Sequence, residues 1–117
     1  MNKLIKSNQV FIKKSGTACI ISEYVFDKPA LGIAQAVING RYPIDSNKKA
    51  LNTKCDLVYF VLSGNGIVHT KDQNFTIETN DALFLSKNNW YWVQGDNLKT
   101  LLISAPEWTV EQYKEVE

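Results

Sequence analysis

The groups in this 117-residue chain that could do chemistry are few and mostly single. His69 is the only histidine and Arg41 the only arginine. A guanidinium is a planar fork for carboxylate or phosphate, so one Arg among lysines is a candidate anion contact. His69 lies in a strand-like stretch with no partner in a catalytic spacing, and reads as a surface or strand-end residue. Cys19 and Cys55 sit in apolar contexts, in neither a CxxC nor a CxxxC arrangement. They read as reduced, buried thiols and do not suggest zinc. Trp90, Tyr91 and Trp92 are consecutive. Aromatic walls with a few hydrogen-bonding groups suit a sugar or another flat polar molecule. The same residues, alternating along a strand, serve equally as core on one face and interface on the other.

The length allows one domain with a real core. The net charge of +1 gives no electrostatic reason to expect nucleic acid or an acidic membrane surface. No apolar run approaches the roughly 18 residues of a membrane span. The N-terminus, Met1-Asn2-Lys3-Leu4-Ile5-Lys6, lacks the apolar core of a signal peptide. A cytoplasmic protein is expected.

The elements that must position these groups are strands. Residues 1–15 form a polar, Lys-rich arm with an apolar patch at Val10-Phe11-Ile12. Residues 17–26 are β-branched and aromatic, a strand by propensity. Asp27-Lys28-Pro29 breaks it. Residues 31–39 alternate, with Gly32, Ala34 and Ala36 on one face and Ile33, Gln35 and Val37 on the other. A helix remains open there, but the alternation favours a strand. Residues 44–54 read as a polar loop of about ten residues. Leu57 to Leu62 is an unbroken apolar run, closed by Ser63-Gly64-Asn65-Gly66, and predicts a buried strand entering a hairpin. Short strands follow at 67–70, 75–78, 82–85, 90–93 and 98–103. Their spacing, with Gly, Asn and Asp between them, indicates an all-β sandwich or barrel. Thr109 and Gln112 are spaced as a capping box, which predicts a short helix in the tail. The organisation expected is an arm (1–15), a barrel (16–104) and a C-terminal tail (105–117).

From Gly40 to Val93 the chain resembles the cupins. Gly40 and Pro43 begin the first cupin motif and Phe60-Val61-Leu62-Ser63-Gly64-Asn65-Gly66 ends it. Asn80-Asp81-Ala82-Leu83-Phe84-Leu85-Ser86, then Tyr91, follow the spacing of the second. The resemblance covers about half the chain. It implies a small antiparallel jelly-roll β-barrel, here with a short C-terminal helical tail. In that family two His, a Glu and a further His hold a metal. The corresponding positions here are Ala50, Asn52, Leu57 (or Asp56, if the strand carries one extra residue) and Tyr91. A site without any imidazole is a poor transition-metal site, so no metal and no cofactor are expected.

A barrel of about eight strands encloses space for one small ligand. With the metal ligands replaced, the resemblance implies a mouth lined by Asn52, Tyr91 and Asp56. Arg41 and Tyr42 stand beside them, and Trp90 and Trp92 flank Tyr91. The expected function is binding of a small polar molecule, such as a sugar, in a metal-free pocket. An alternative is a sugar-derivative isomerase or epimerase, with Tyr91 as acid and Asp56 or Glu23 as base. A third reading is a non-catalytic interaction module with a vestigial pocket. Leu57, Tyr59 and Val61 face one side of their strand, and Val58, Phe60 and Leu62 the other. Both faces are apolar and both need cover, for which a homodimer is the natural candidate and the N-terminal arm with the Trp108 tail, within one chain, the alternative.

Overall fold

The computed structural model describes residues 2–27 and 29–117, and of Ser15 the backbone alone. Lys28, in the expected break after the second strand, and Met1 lie outside the described residues. The described residues form nine strands: β1 (Phe11–Ser15), β2 (Cys19–Tyr24), β3 (Gly32–Tyr42), β4 (Lys49–Asn52), β5 (Asp56–Thr70), β6 (Asn74–Glu78), β7 (Ala82–Leu85), β8 (Tyr91–Ala105) and β9 (Tyr113–Val116). All pairings are antiparallel, in one curled sheet. The order runs β1-β2-β3-β8-β4-β9, with β5 beside β8 and carrying β6 and β7 on its other edge. Among the described residues no helix is long and apolar enough to cross a membrane.

Ser63-Gly64-Asn65-Gly66 does not reverse the chain, contrary to the hairpin expected there. β5 continues through it as one 15-residue strand. Its neighbour β8 stays paired from Asp56↔Ala105 to Thr70↔Tyr91, with register shifts between Val61 and Asn65. Gly64 lies within these shifts, where bulges bend the strand, and Gly66 is already back in register opposite Gly95. Before the bend the buried residues of β5 are Leu57, Tyr59 and Val61; after it they are Gly66 and Val68. The parity of the inward face changes, as an inserted residue requires. β8 does the same around Gly95, burying Tyr91 and Val93 before it and Leu98 and Thr100 after it. Gly95 pairs with Gly40 on one side and Gly66 on the other, so three long strands bend along a line of glycines. Two strands predicted in the 90–103 region are therefore one, and likewise for 57–70.

Two further expectations are corrected. The predicted loop at 44–54 contains β4, which pairs with β9 from Lys49↔Val116 to Asn52↔Tyr113. No local signal marks it, because its partner lies about sixty residues away. The predicted helical tail is one 3-10 turn, Val110–Gln112, followed by β9. Thr109 makes no side-chain cap, and the Gln112 side chain is turned into the protein instead.

Candidate functional site

The small residues of β3 leave room inside the curl. Ala34 and Ala36 face a cavity of about 290 Å³. Its walls come from Cys19, Ile21 and Glu23 on β2, Leu57 and Tyr59 on β5, and Tyr91, Leu102 and Ser104 on β8. The C-terminal segment closes one side with Trp108 and Tyr113. Lys13 on β1 sits against that wall, its Nζ 4.2 Å from the centre of the Trp108 ring and 2.9 Å from Glu23 Oε1.

Besides Tyr24, four tyrosines line the cavity, Tyr42, Tyr59, Tyr91 and Tyr113. They form two hydrogen-bonded pairs. Tyr42 donates to the Tyr113 hydroxyl at 3.1 Å and Tyr59 to the Tyr91 hydroxyl at 3.3 Å. The rings of Tyr59 and Tyr91 meet edge to face, with centroids 5.9 Å apart. Tyr113 in turn donates to Glu115 Oε2. Burial raises the pKa of all four phenols, that of Tyr91 to about 12, and raises the Cys19 thiol to about 11. At neutral pH the cluster is thus an uncharged array of donors and acceptors.

The raised values set an expected pH dependence. Unfolded cysteine and tyrosine titrate near about 8.5 and about 10. Folded, these groups hold their protons more tightly, so their contribution to stability is complete below the unfolded values. It is lost as pH rises through about 9 towards the folded pKa values of about 11 for Cys19 and about 12 for Tyr91. Urea midpoints at pH 7, 9 and 10.5 should fall progressively above pH 9. A flat profile over that range would mean that the phenols are solvated.

The positions named from the sequence divide sharply. Tyr42 and Tyr91 line the cavity. Asn52 is buried and does not line the cavity; its Oδ1 accepts from Trp108 Nε1 at 3.0 Å and Gln112 Nε2 at 2.7 Å. Asp56 does not line the cavity; its Oδ1 accepts the Lys87 backbone N–H at 2.9 Å. Leu57 is the inward residue, which settles the register left open at that strand's start. Trp90 and Trp92 do not line the cavity, because neighbours of Tyr91 on a strand project to the opposite face. The Trp92 ring stacks on His69 at 3.8 Å and carries the Arg41 guanidinium at 4.5 Å, while Lys49 Nζ lies over Trp90. Arg41 donates to the carbonyls of Pro43, Asp45 and Lys48, so it ties down the segment before β4 and does not reach the cavity.

Tyr59, Trp108 and Tyr113 were not singled out as site residues. Alternation could have found Tyr59, which shares a face with Leu57. Nothing in the sequence places Trp108 or Tyr113, which reach the cavity through the β4–β9 pairing. The cupin metal does not fit these residues. Ala50 and Leu57 offer no donor atom, and the Asn52 oxygen is taken by Trp108 and Gln112. Among the described residues no three His, Cys, Asp or Glu side chains lie together.

No protein-family model matches the chain, and no curated protein matches it. Solved structures do. The chain is similar to Pac13, a nucleoside dehydratase from Streptomyces, with a TM-score of 0.86 at 13% identity over 100% of this chain and 92% of that one. Pac13 variants carrying a His-to-Gln or a Tyr-to-Phe substitution have been solved with uridine. Ectoine synthase from P. lautus aligns with a TM-score of 0.69 at 7% identity, over 99% of this chain and 91% of that one. The cupin domain of Schizosaccharomyces pombe Cnp3 aligns with a TM-score of 0.62 at 10% identity, over 84% and 69%. The fold is that of the cupin superfamily.

Proposed function

We propose that this chain binds a small, polar, uncharged molecule of sugar or nucleoside size, without a metal, in the cavity between β2, β3, β5 and β8. The observation that carries this reading is the tyrosine quartet in a cavity of about 290 Å³. Apolar walls with a few placed hydroxyls are the usual make-up of a small-ligand site. The likeness of the fold to a nucleoside dehydratase makes uridine the first compound to try. Titration calorimetry with uridine, other nucleosides and monosaccharides should give saturable binding by at least one. Ala34→Phe, which places a ring in the cavity from the β3 wall, should abolish it. Heat that survives Ala34→Phe, or no binding from any compound, would sink the proposal and favour an interaction module.

A second reading is catalysis, including isomerisation or epimerisation of a sugar derivative. It is favoured by one observation: Glu23 and Tyr91, a carboxylate and a phenol, line the same cavity. They are a base and an acid that face one ligand. Glu23→Gln should then abolish turnover of a bound compound and leave its binding intact.

The outer face of the sheet supports a homodimer. Val58 pairs with both Phe84 and Ile103, and Phe60 with Ala82 and Leu101, in two apolar rows. Phe84 is 61% exposed in the single chain. Light scattering should give twice the chain mass, and Phe84→Lys should give the monomer mass.

A further inference from the structure

Two residues of the cavity wall keep hydrogen-bonding capacity that the protein itself does not use. One is Ser104 on β8, which is 4% exposed. Its Oγ accepts the Trp108 backbone N–H at 3.1 Å. A backbone N–H can only donate, so the serine oxygen is the acceptor in this bond. Among the described hydrogen bonds the Ser104 side chain makes no other. Its proton is thus left without an acceptor, which is costly for a buried donor. The cavity that Ser104 lines is where that acceptor can come from.

The other is Glu23 on β2. Its side chain lines the same cavity, and Lys13 Nζ, 2.9 Å from Oε1, is its described partner. A carboxylate offers about four acceptor sites, so one ammonium leaves most of them open.

Strand pairing sets the two residues on either side of β3. Glu23 stands opposite Ala34, and Ser104 stands opposite Gly32. Positions 32 and 34 share a face, so the wall between donor and acceptor carries nothing larger than a methyl group. Gly32 has to be bare, because a Cβ there would stand 2.9 Å from Ser104 Oγ and 3.1 Å from the Glu107 Cα. The result is a smooth floor with a spare donor along one edge and a spare acceptor along the other.

We propose that this floor is a subsite for a vicinal diol, as on a sugar ring: one hydroxyl oxygen accepts from Ser104 and the neighbouring hydroxyl donates to Glu23. The proposal rests on the cavity being a ligand site, and it adds the group that the ligand must carry. β2 and β8 lie about 10 Å apart across β3, so a single hydroxyl meets one of the two partners and a neighbouring pair meets both. A ligand without the diol leaves the Ser104 proton unpaired. Discrimination by such a loss is far steeper than by a missing methylene.

The test compares two small rings, cis-1,2-cyclohexanediol and cyclohexanol, by ligand-observed NMR titration. Binding to the natural protein that Ala34→Phe abolishes places the rings in the cavity. The diol should bind about tenfold tighter than the alcohol or better. Ser104→Ala and Glu23→Leu should each bring the diol down to the affinity of cyclohexanol, which itself should hardly change. Glu23→Gln, whose amide oxygen still accepts, should keep the preference. Because the readout is the ratio of the two affinities, a residue that merely shapes the wall would move both rings alike. Equal binding of the two rings overturns the proposal and leaves the cavity standing. So does a preference that survives Ser104→Ala or Glu23→Leu, or a loss of both rings together in those variants. Binding of neither ring to the natural protein overturns the subsite and the cavity as a ligand site.

Discussion

Gly64→Ala is expected to lower the unfolding free energy by about 3 kcal/mol or more, on two counts. Gly64 has φ +75°, where an L-residue is strained by roughly 1–2 kcal/mol. A Cβ there would also run into the Asn97 carbonyl of β8. That atom is backbone in the strand hydrogen-bonded alongside, so it cannot step aside as a side chain would, and overpacking adds about 1–3 kcal/mol. Gly16→Ala is the control. It has φ +61° too, but its Cβ would meet the flexible end of Ile44. Urea unfolding of both variants separates the two costs. Gly64→Ala should be the more destabilised by a clear margin. Equal midpoints would mean that β5 and β8 can part at the bend.

Asn52→Ala should cost about 3–5 kcal/mol, since it strips hydrogen bonds from buried groups at about 1–3 kcal/mol each. Trp108 Nε1 and Gln112 Nε2 lose their shared acceptor, and Gln112 is 3% exposed. The loss should also be local in its consequences. Gln112 holds the C-terminal segment to the start of β5, with Thr53 Oγ1 donating to its carbonyl oxygen at 2.8 Å. Trp108 forms a cavity wall on that segment. Its fluorescence should move to longer wavelength as the wall loosens, and ligand heat should fall with it. A variant as stable as the natural protein, with unchanged Trp emission, would show that the tail is held by β4–β9 pairing alone.

The same residue shows how far the sequence carries. Its resemblance to a cupin motif singled out position 52 and paired it with Tyr91. The structure separates their work: Tyr91 lines the cavity and Asn52 does not. The Asn52 side chain instead holds Trp108 and Gln112 in place. Trp90 and Trp92 went astray for a simpler reason. Consecutive residues of a strand face opposite ways, so a run of three aromatics cannot line one cavity. Arg41 was a fair candidate as a lone guanidinium, but three carbonyls close to it in the chain already occupy it.

By itself the chain determined what depends on neighbours along it. The short apolar runs, the Gly and Asn punctuation and the small residues of β3 specify strands, and the motif order specifies the barrel they form. The replacement of His ligands by Ala50, Asn52 and Tyr91 is likewise plain in the residues. Tertiary structure alone decided the rest. β8 runs unbroken beside β5, which turns an expected hairpin at Gly64 and Gly66 into a bend. β9 crosses to β4, which brings Trp108 and Tyr113 to a cavity their positions in the chain do not foretell. Both outcomes rest on pairing between segments distant in sequence, and hydrogen bonds between such segments leave no mark on either one alone.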